Sequence, residues 1–228
     1  MQTVELDKWQ VSVKEAKEIQ NRLACRVSRI NELGVPKLIA GADISIKRAE
    51  GVAEAAVITL AYPDLHLVEV KITRGKLNFP YVPGLLSFRE APLIMAAFQQ
   101  LSFRPDLLLV DGQGIAHPRR FGLASHLGLL LEIPAIGCAK SRLCGRYQEP
   151  HETIGSYSDL VAEGEVIGAV LRTRTGVKPV YISTGHRIDL ETAVHWTINC
   201  CRGYRIPEPT RLAHLAAGGN LKEQPGMN

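Results

Sequence analysis

Three carboxylates stand where apolar residues are expected. Asp43 lies inside Ile39-Ala40-Gly41-Ala42-Asp43-Ile44, Glu90 inside Phe88-Arg89-Glu90-Ala91, and Asp111 closes Leu107-Leu108-Leu109-Val110-Asp111. A buried carboxylate is costly unless a cation, several hydrogen-bond donors or a metal offsets its lost hydration. Three of them in 228 residues point to one shared cation. Oxygen ligands favour a hard ion, Mg²⁺, for which Mn²⁺ can substitute. An Asp at the carboxyl end of a parallel strand is also where open α/β sheets place their ligands. Each acid has a local alternative. Asp43 could sit at a bulge helped by Gly41, and Asp111-Gly112 could be a plain turn. Glu90 could complete a capping box with Ser87, although Pro92 counts against it.

The remaining chemistry-bearing residues fall in loops. Asp111-Gly112-Gln113-Gly114-Ile115-Ala116-His117-Pro118-Arg119-Arg120 is a glycine-spaced turn that ends in basic residues. Its backbone amides could face a base or a phosphate. Lys140 ends the next apolar run, where it could stabilise phosphate charge or form a salt bridge to the acids. Pro80-Tyr81-Val82-Pro83-Gly84 is a stiff loop. It could present Tyr81 as an intercalating wedge, or Tyr81 could pack into the core beside Leu85. In the last helix His214 shares a face with Arg211 and Thr210.

These residues need elements to hold them. Gln2 to Asn31 reads as a helical N-terminal segment, because Val13, Ala16, Ile19, Leu23, Val27 and Ile30 recur near the helical period. Strand patterns follow at Lys37–Ile46, Ala53–Ala61 and Leu65–Thr73, linked by short turns that favour antiparallel pairing. Then come a helix at Ser87–Leu101, a buried strand at Leu107–Asp111, a helix at Gly122–Leu131 and a buried strand at Ala135–Lys140. That strand–helix–strand unit predicts a right-handed parallel crossover. Val166–Thr173 and Pro179–Ser183 predict a final hairpin, and Leu190–Cys201 and Glu208–Ala217 two closing helices. The reading is an α/β, ribonuclease H-like mixed β-sheet flanked by helices, a single domain over residues 1–217 with a disordered tail at 218–228.

Composition narrows the class. A chain with 46% hydrophobic and 22% charged residues is not intrinsically disordered. No apolar run is long enough to span a membrane, and the polar N-terminus lacks a signal-peptide core, so a cytoplasmic protein is expected. Five cysteines, an odd number without zinc-site spacing, read as reduced thiols packed as small hydrophobes. The net charge of +4 permits a nucleic-acid partner without requiring one. There is no G-x-G-x-x-G, phosphate-binding P-loop or G-x-S-x-G.

Five runs together resemble the bacterial endonuclease V family, deoxyinosine 3′ endonucleases. They are Ala40–Asp43, Phe79–Glu90 (FPYVPGLLSFRE), Asp111–Arg119 (DGQGIAHPR), Ile136–Leu143 (IGCAKSRL) and Arg205–Arg211 (RIPEPTR). The resemblance runs in order from Asp7 to His214. It implies a ribonuclease H-like fold, a need for Mg²⁺ or Mn²⁺ and recognition of deaminated bases in DNA, chiefly hypoxanthine. It also implies hydrolysis of the second phosphodiester 3′ to the lesion. By the same resemblance Asp43 and Asp111 are metal ligands, Glu90 completes the acidic cluster, and His214 helps hold or activate the water at the metal. Lys140 acts at the scissile phosphate. Tyr81, between Pro80 and Pro83, wedges into the gap left by a flipped base. Backbone around Gly84, Gly112 and Gly114 forms the lesion pocket, and His117 on the same loop is a candidate DNA contact. Arg119, Arg120, Arg142 and Arg211 are candidates for phosphate contacts. Val82 stands where the wedge more often reads Ile. The alternatives are an inosine-specific ribonuclease and a module that binds nucleic acid without cutting it. No membrane partner is expected, and a monomer is the expected assembly.

Overall fold

In the computed structural model, which describes residues 9–47 and 51–221, the apolar runs form one eight-stranded mixed sheet. A helix, α1 (Val13–Ala24), precedes an antiparallel meander of β1 (Leu38–Lys47), β2 (Val52–Ala61) and β3 (His66–Gly75). Next, α2 (Leu86–Phe98) leads into β4 (Leu107–Val110), and α3 (Leu123–Leu131) into β5 (Ala135–Ala139). β4 runs parallel to both β1 and β5. The antiparallel strands β6 (Tyr157–Ala162), β7 (Glu165–Leu171) and β8 (Val180–His186) extend the sheet, and α4 (Leu190–Asn199) and α5 (Glu208–Gly218) close the chain. The strand order is β3-β2-β1-β4-β5-β8-β7-β6. This is the α/β mixed sheet expected from the meander followed by a parallel unit.

Strand alternation sorts the core into two layers. Ile39, Leu107, Leu109 and Ile136 face Trp196, Leu212 and Ala213 of α4 and α5. Ala40, Ala42, Leu108 and Val110 face Ala91 and Ile94 of α2 and Leu123 and Leu127 of α3. The central strands are buried on both faces, which is why they read as continuous apolar runs. Each fully buried Leu or Ile contributes about 2 kcal/mol through area removed from water.

Three expectations need correction. First, the N-terminal helix is shorter. It starts with a capping box, in which Ser12 accepts from the Glu15 amide and Glu15 returns the bond, and it ends at Ala24. Beyond it the backbone bonds to the end of β8: Ser28 N–H donates to His186 Nδ1 at 3.1 Å, and Arg187 N–H to the Ser28 carbonyl at 2.8 Å. Those bonds replace helical ones, and Ile30 is left 74% exposed. The part of that reading before Trp9 lies outside the described residues. Second, the edge strand β6 was not foreseen. Leu160 is its one buried residue, so it carries almost no apolar signal. Third, Gly218 to Leu221 belong to the fold: Gly218 ends α5 and Leu221 packs on the core, while 222–228 lie outside the described residues. The bulge weighed for Asp43 and the capping box weighed for Glu90 do not form, although Asp43 does bind backbone through the Ile44 N–H. β1 pairs with β2 without a register shift, and α2 starts from Leu85 without a side-chain cap. No helix among the described residues is long and apolar enough to cross a membrane.

Candidate metal centre and nucleic-acid interface

Parallel pairing brings two of the acids together. Ala42 pairs with Val110, so Asp43 and Asp111 follow side by side on one face of the sheet, and the Asp111 N–H donates to the Ala42 carbonyl at 3.2 Å. The third group depends on Gly41. A Cβ there would lie 1.9 Å from the Pro209 carbonyl oxygen, so only glycine lets the first turn of α5 rest on β1. That approach puts His214 Nδ1 2.6 Å from Asp43 Oδ2, while Asp43 Oδ1 accepts the Ile44 N–H at 2.8 Å. Ligand atoms of Asp43, Asp111 and His214 all lie within 4.8 Å of one another.

The electrostatics are those of a cation site. Burial, and then the charge of Asp111, raise the Asp43 pKa from its ordinary value, against the Ile44 N–H, Lys140 and His214. Glu90, on α2, is raised to about 7 by burial and by Asp43 and Asp111, opposed by Arg89, and is not one of the three residues whose ligand atoms lie together. Lys140 forms an ion pair with Asp111 and compensates only part of this charge. Two carboxylates and an imidazole suit a hard or borderline divalent ion, whose charge would relieve the repulsion.

A cavity of about 340 Å³ adjoins the cluster and shares Asp111 and Lys140 with it. Gln20, Tyr81, Pro83, Gly84, Gly112, Gln113, His117 and Arg142 also line it. Tyr81 is 67% exposed whereas Leu85 is fully buried, so Tyr81 does not fill the core. Pro80 is exposed outside the cavity lining. Gly114 does not line it either, contrary to expectation. A Cβ on Gly114 would lie 2.0 Å from the Thr184 carbonyl oxygen, and its N–H donates to Ser183 Oγ at 2.9 Å. Its smallness serves the packing of the loop on β8.

The sequence model of the Endonuclease V family matches residues 21–215. The chain belongs to the endonuclease V family. A relative named endonuclease V from Dehalococcoides mccartyi is 54% identical over 212 residues, covering 93% of this chain and 95% of its own. The crystal structure of endonuclease V from Streptomyces avermitilis superposes with a TM-score of 0.88 at 41% identity, covering 94% of this chain and 95% of its own. A Ciona intestinalis endonuclease V, 27% identical with a TM-score of 0.80 over 92% of this chain and 97% of its own, was solved with a 24mer DNA containing an inosine followed by a ribo-adenosine. The family assigns a nuclease to this fold.

The arginines expected to contact phosphate come from the loop after β4, the loop after β5 and helix α5. Arg142 is exposed at the cavity, bonded to the Gly145 carbonyl at 3.1 Å and set over the Tyr147 ring. The other three arginines have internal partners. Arg120 pairs with Glu165 at 2.7 Å and Glu163 at 3.3 Å. Arg211 makes a two-pronged pair with Glu208, at 2.8 and 2.6 Å, over the Tyr204 ring. Arg119 bonds to Gln20 at 2.5 Å and to the Gly84 carbonyl at 2.9 Å. His117 is 2% exposed; burial lowers its pKa to about 4 against the raising effect of the Gly84 bond, so the neutral ring donates from Nε2 to Gly84 O at 2.8 Å. Its ring is held by the backbone at Gly84, and it lines the cavity. Gln20 was missed altogether. Its one sequence signal is its place beside Ala16, Ile19 and Leu23 on the buried face of α1.

Proposed function

We propose that this chain is a divalent-metal-dependent endodeoxyribonuclease that recognises deaminated bases, chiefly hypoxanthine. It would hydrolyse the second phosphodiester 3′ to the lesion and leave 3′-hydroxyl and 5′-phosphate ends. The observation that carries the reading is the shared wall: the acidic cluster and the cavity meet at Asp111 and Lys140. A base held in the cavity therefore brings its neighbouring backbone to the carboxylates. The relative bound to inosine-containing DNA supports the choice of base.

Asp43 and Asp111 would hold the ion, with His214 beside them and Glu90 adding negative charge. An ion held there, Mg²⁺ or Mn²⁺, would neutralise charge on the phosphate and lower the pKa of a water molecule. His214 gives Nδ1 to Asp43, which orients its ring and leaves Nε2 to take a proton from the attacking water. Lys140 Nζ, held by Asp111, faces the developing negative charge at the scissile phosphate. Tyr81, exposed on a loop stiffened by two prolines, fills the gap left by the extruded base. A deaminated base pairs weakly, so its extrusion costs less than that of a normal base. Gly84 and Gly112 present backbone rather than side chains to it.

The Ciona relative was crystallised with a ribonucleotide after the inosine, which favours a second reading, cleavage at inosine in RNA. One experiment tests both readings. Labelled DNA and RNA oligonucleotides with a single hypoxanthine are incubated with Mg²⁺ or with EDTA. A metal-dependent cut one nucleotide beyond the lesion on DNA is the expected result. A cut on RNA alone selects the second reading, and no cut on either overturns both.

A further inference from the structure

Gln20 is 1% exposed on α1 and lines the cavity, yet no step of the chemistry above uses it. Its Nε2 donates to the carbonyls of Gly84 at 3.0 Å and Phe121 at 2.9 Å, and its Oε1 accepts from Arg119 Nε at 2.5 Å. The Gly84 oxygen also accepts from Arg119 Nη2 at 2.9 Å and His117 Nε2 at 2.8 Å. One carbonyl thus receives three side-chain donors, drawn from α1 and from the loop after β4.

The clamped peptide belongs to a tight turn. Leu85 N–H donates to the Val82 carbonyl at 2.9 Å, Pro83 occupies the second position and Gly84 the third, with φ +77°. Proline and a left-handed glycine at those positions make a rigid turn of the second type. A Cβ on Gly84 would lie 2.9 Å from Arg119 Nη2 and 3.2 Å from His117 Nε2, so the clamp closes tightly on the backbone. Tyr81 directly precedes this turn. Its direction therefore follows the orientation of the Gly84 peptide.

We propose that Gln20 is a positioning residue that, through the Gly84 carbonyl, aims Tyr81 into the duplex. The inference rests on the lesion-endonuclease reading. Gln20 is the link that no residue of the loop after β4 can replace, because it ties Gly84, Phe121 and Arg119 to α1 at once. Without it Arg119 loses a partner and Gly84 one of its donors. The turn then pivots, and base extrusion suffers while the acidic cluster stays in place.

The test compares wild-type protein with Gln20→Met, a near-isosteric change that removes the donors. Cleavage is measured on a paired duplex containing deoxyinosine and on the same strand unpaired, where no wedge is needed. Loss of a buried hydrogen bond predicts a duplex-to-single-strand rate ratio lower by about fivefold or more. In EDTA, a 2-aminopurine beside the lesion should brighten less at saturating variant than at saturating wild type. If Gln20→Met fails to fold by circular dichroism, Gln20→Glu carries the test, because it keeps the Arg119 partner and removes the donation to Gly84 and Phe121. An unchanged ratio with unchanged fluorescence, or equal losses on both substrates, overturns the inference. Wild-type protein that cuts neither substrate overturns the endonuclease reading instead, and the fluorescence comparison still decides the clamp.

Discussion

Gly41→Ala should damage the metal centre without touching any of its ligands. A Cβ at this position would meet the Pro209 carbonyl oxygen at 1.9 Å, and ordinary contact begins at 3.4 Å, so α5 must retreat by about 1.5 Å or β1 must bend. The obstacle is backbone at the first turn of a helix, so no rotamer change relieves it. Overpacking of this kind typically costs about 1–3 kcal/mol. His214 rides on the same helix, so a retreat of that size would stretch the 2.6 Å contact with Asp43 beyond hydrogen-bond range. Urea denaturation should show the stability loss. At a temperature where the variant is fully folded, metal-dependent cleavage should fall and the Mg²⁺ concentration for half-maximal rate should rise. Gly34→Ala is the control: nothing lies within 4 Å of a Cβ there, and stability should be unchanged or slightly improved. A Gly41→Ala protein with wild-type stability and wild-type metal dependence would refute the claim that close approach of α5 builds the site.

Asp43→Asn should lower cleavage by about a thousandfold or more while duplex binding persists, measured by single-turnover assay and gel shift. Mg²⁺ should raise the melting temperature of the wild type, because it binds the folded cluster and relieves repulsion between Asp43, Glu90 and Asp111, and Asp111→Asn should abolish most of that rise in a thermal scan. Acid should destabilise the fold through buried neutral histidines. The pKa of His186 is lowered from 6.5 to about 4 by burial and then by Arg187, so the unfolded chain binds the extra proton; stability is fully present above pH 6.5 and is lost as pH falls towards 4. The loss attributable to His186 is at most about 3 kcal/mol, and His186→Asn, which still offers an acceptor to the Ser28 N–H, should flatten that limb in denaturation at pH 7 and pH 4.5.

Much of the site could be read from local sequence because its anomalies are local. A carboxylate inside an apolar run is improbable wherever the run ends up, so Asp43, Glu90 and Asp111 stood out before their neighbours were known. Helical and strand periods likewise marked both core layers, since a buried stripe repeats along the chain that forms it. Polar residues with ordinary local surroundings could not be sorted this way. Arg119, Arg120, Arg142 and Arg211 look equally suited to phosphate in the sequence; only the fold shows that each has a partner within the protein and that Arg142 is exposed at the cavity. Gln20 looked like any helical glutamine, because its partners Gly84, Arg119 and Phe121 lie 64 to 101 residues away. His117 lines the cavity, but its bond to the Gly84 carbonyl joins residues 33 apart and has no local signal. The β6 strand was silent because an edge strand buries little. The sequence alone determined which groups are too costly to bury without a cation, and which periods must fold onto a core. Tertiary structure decided which charges are already neutralised and which backbone is clamped, because those depend on contacts between residues that only the closed sheet brings together.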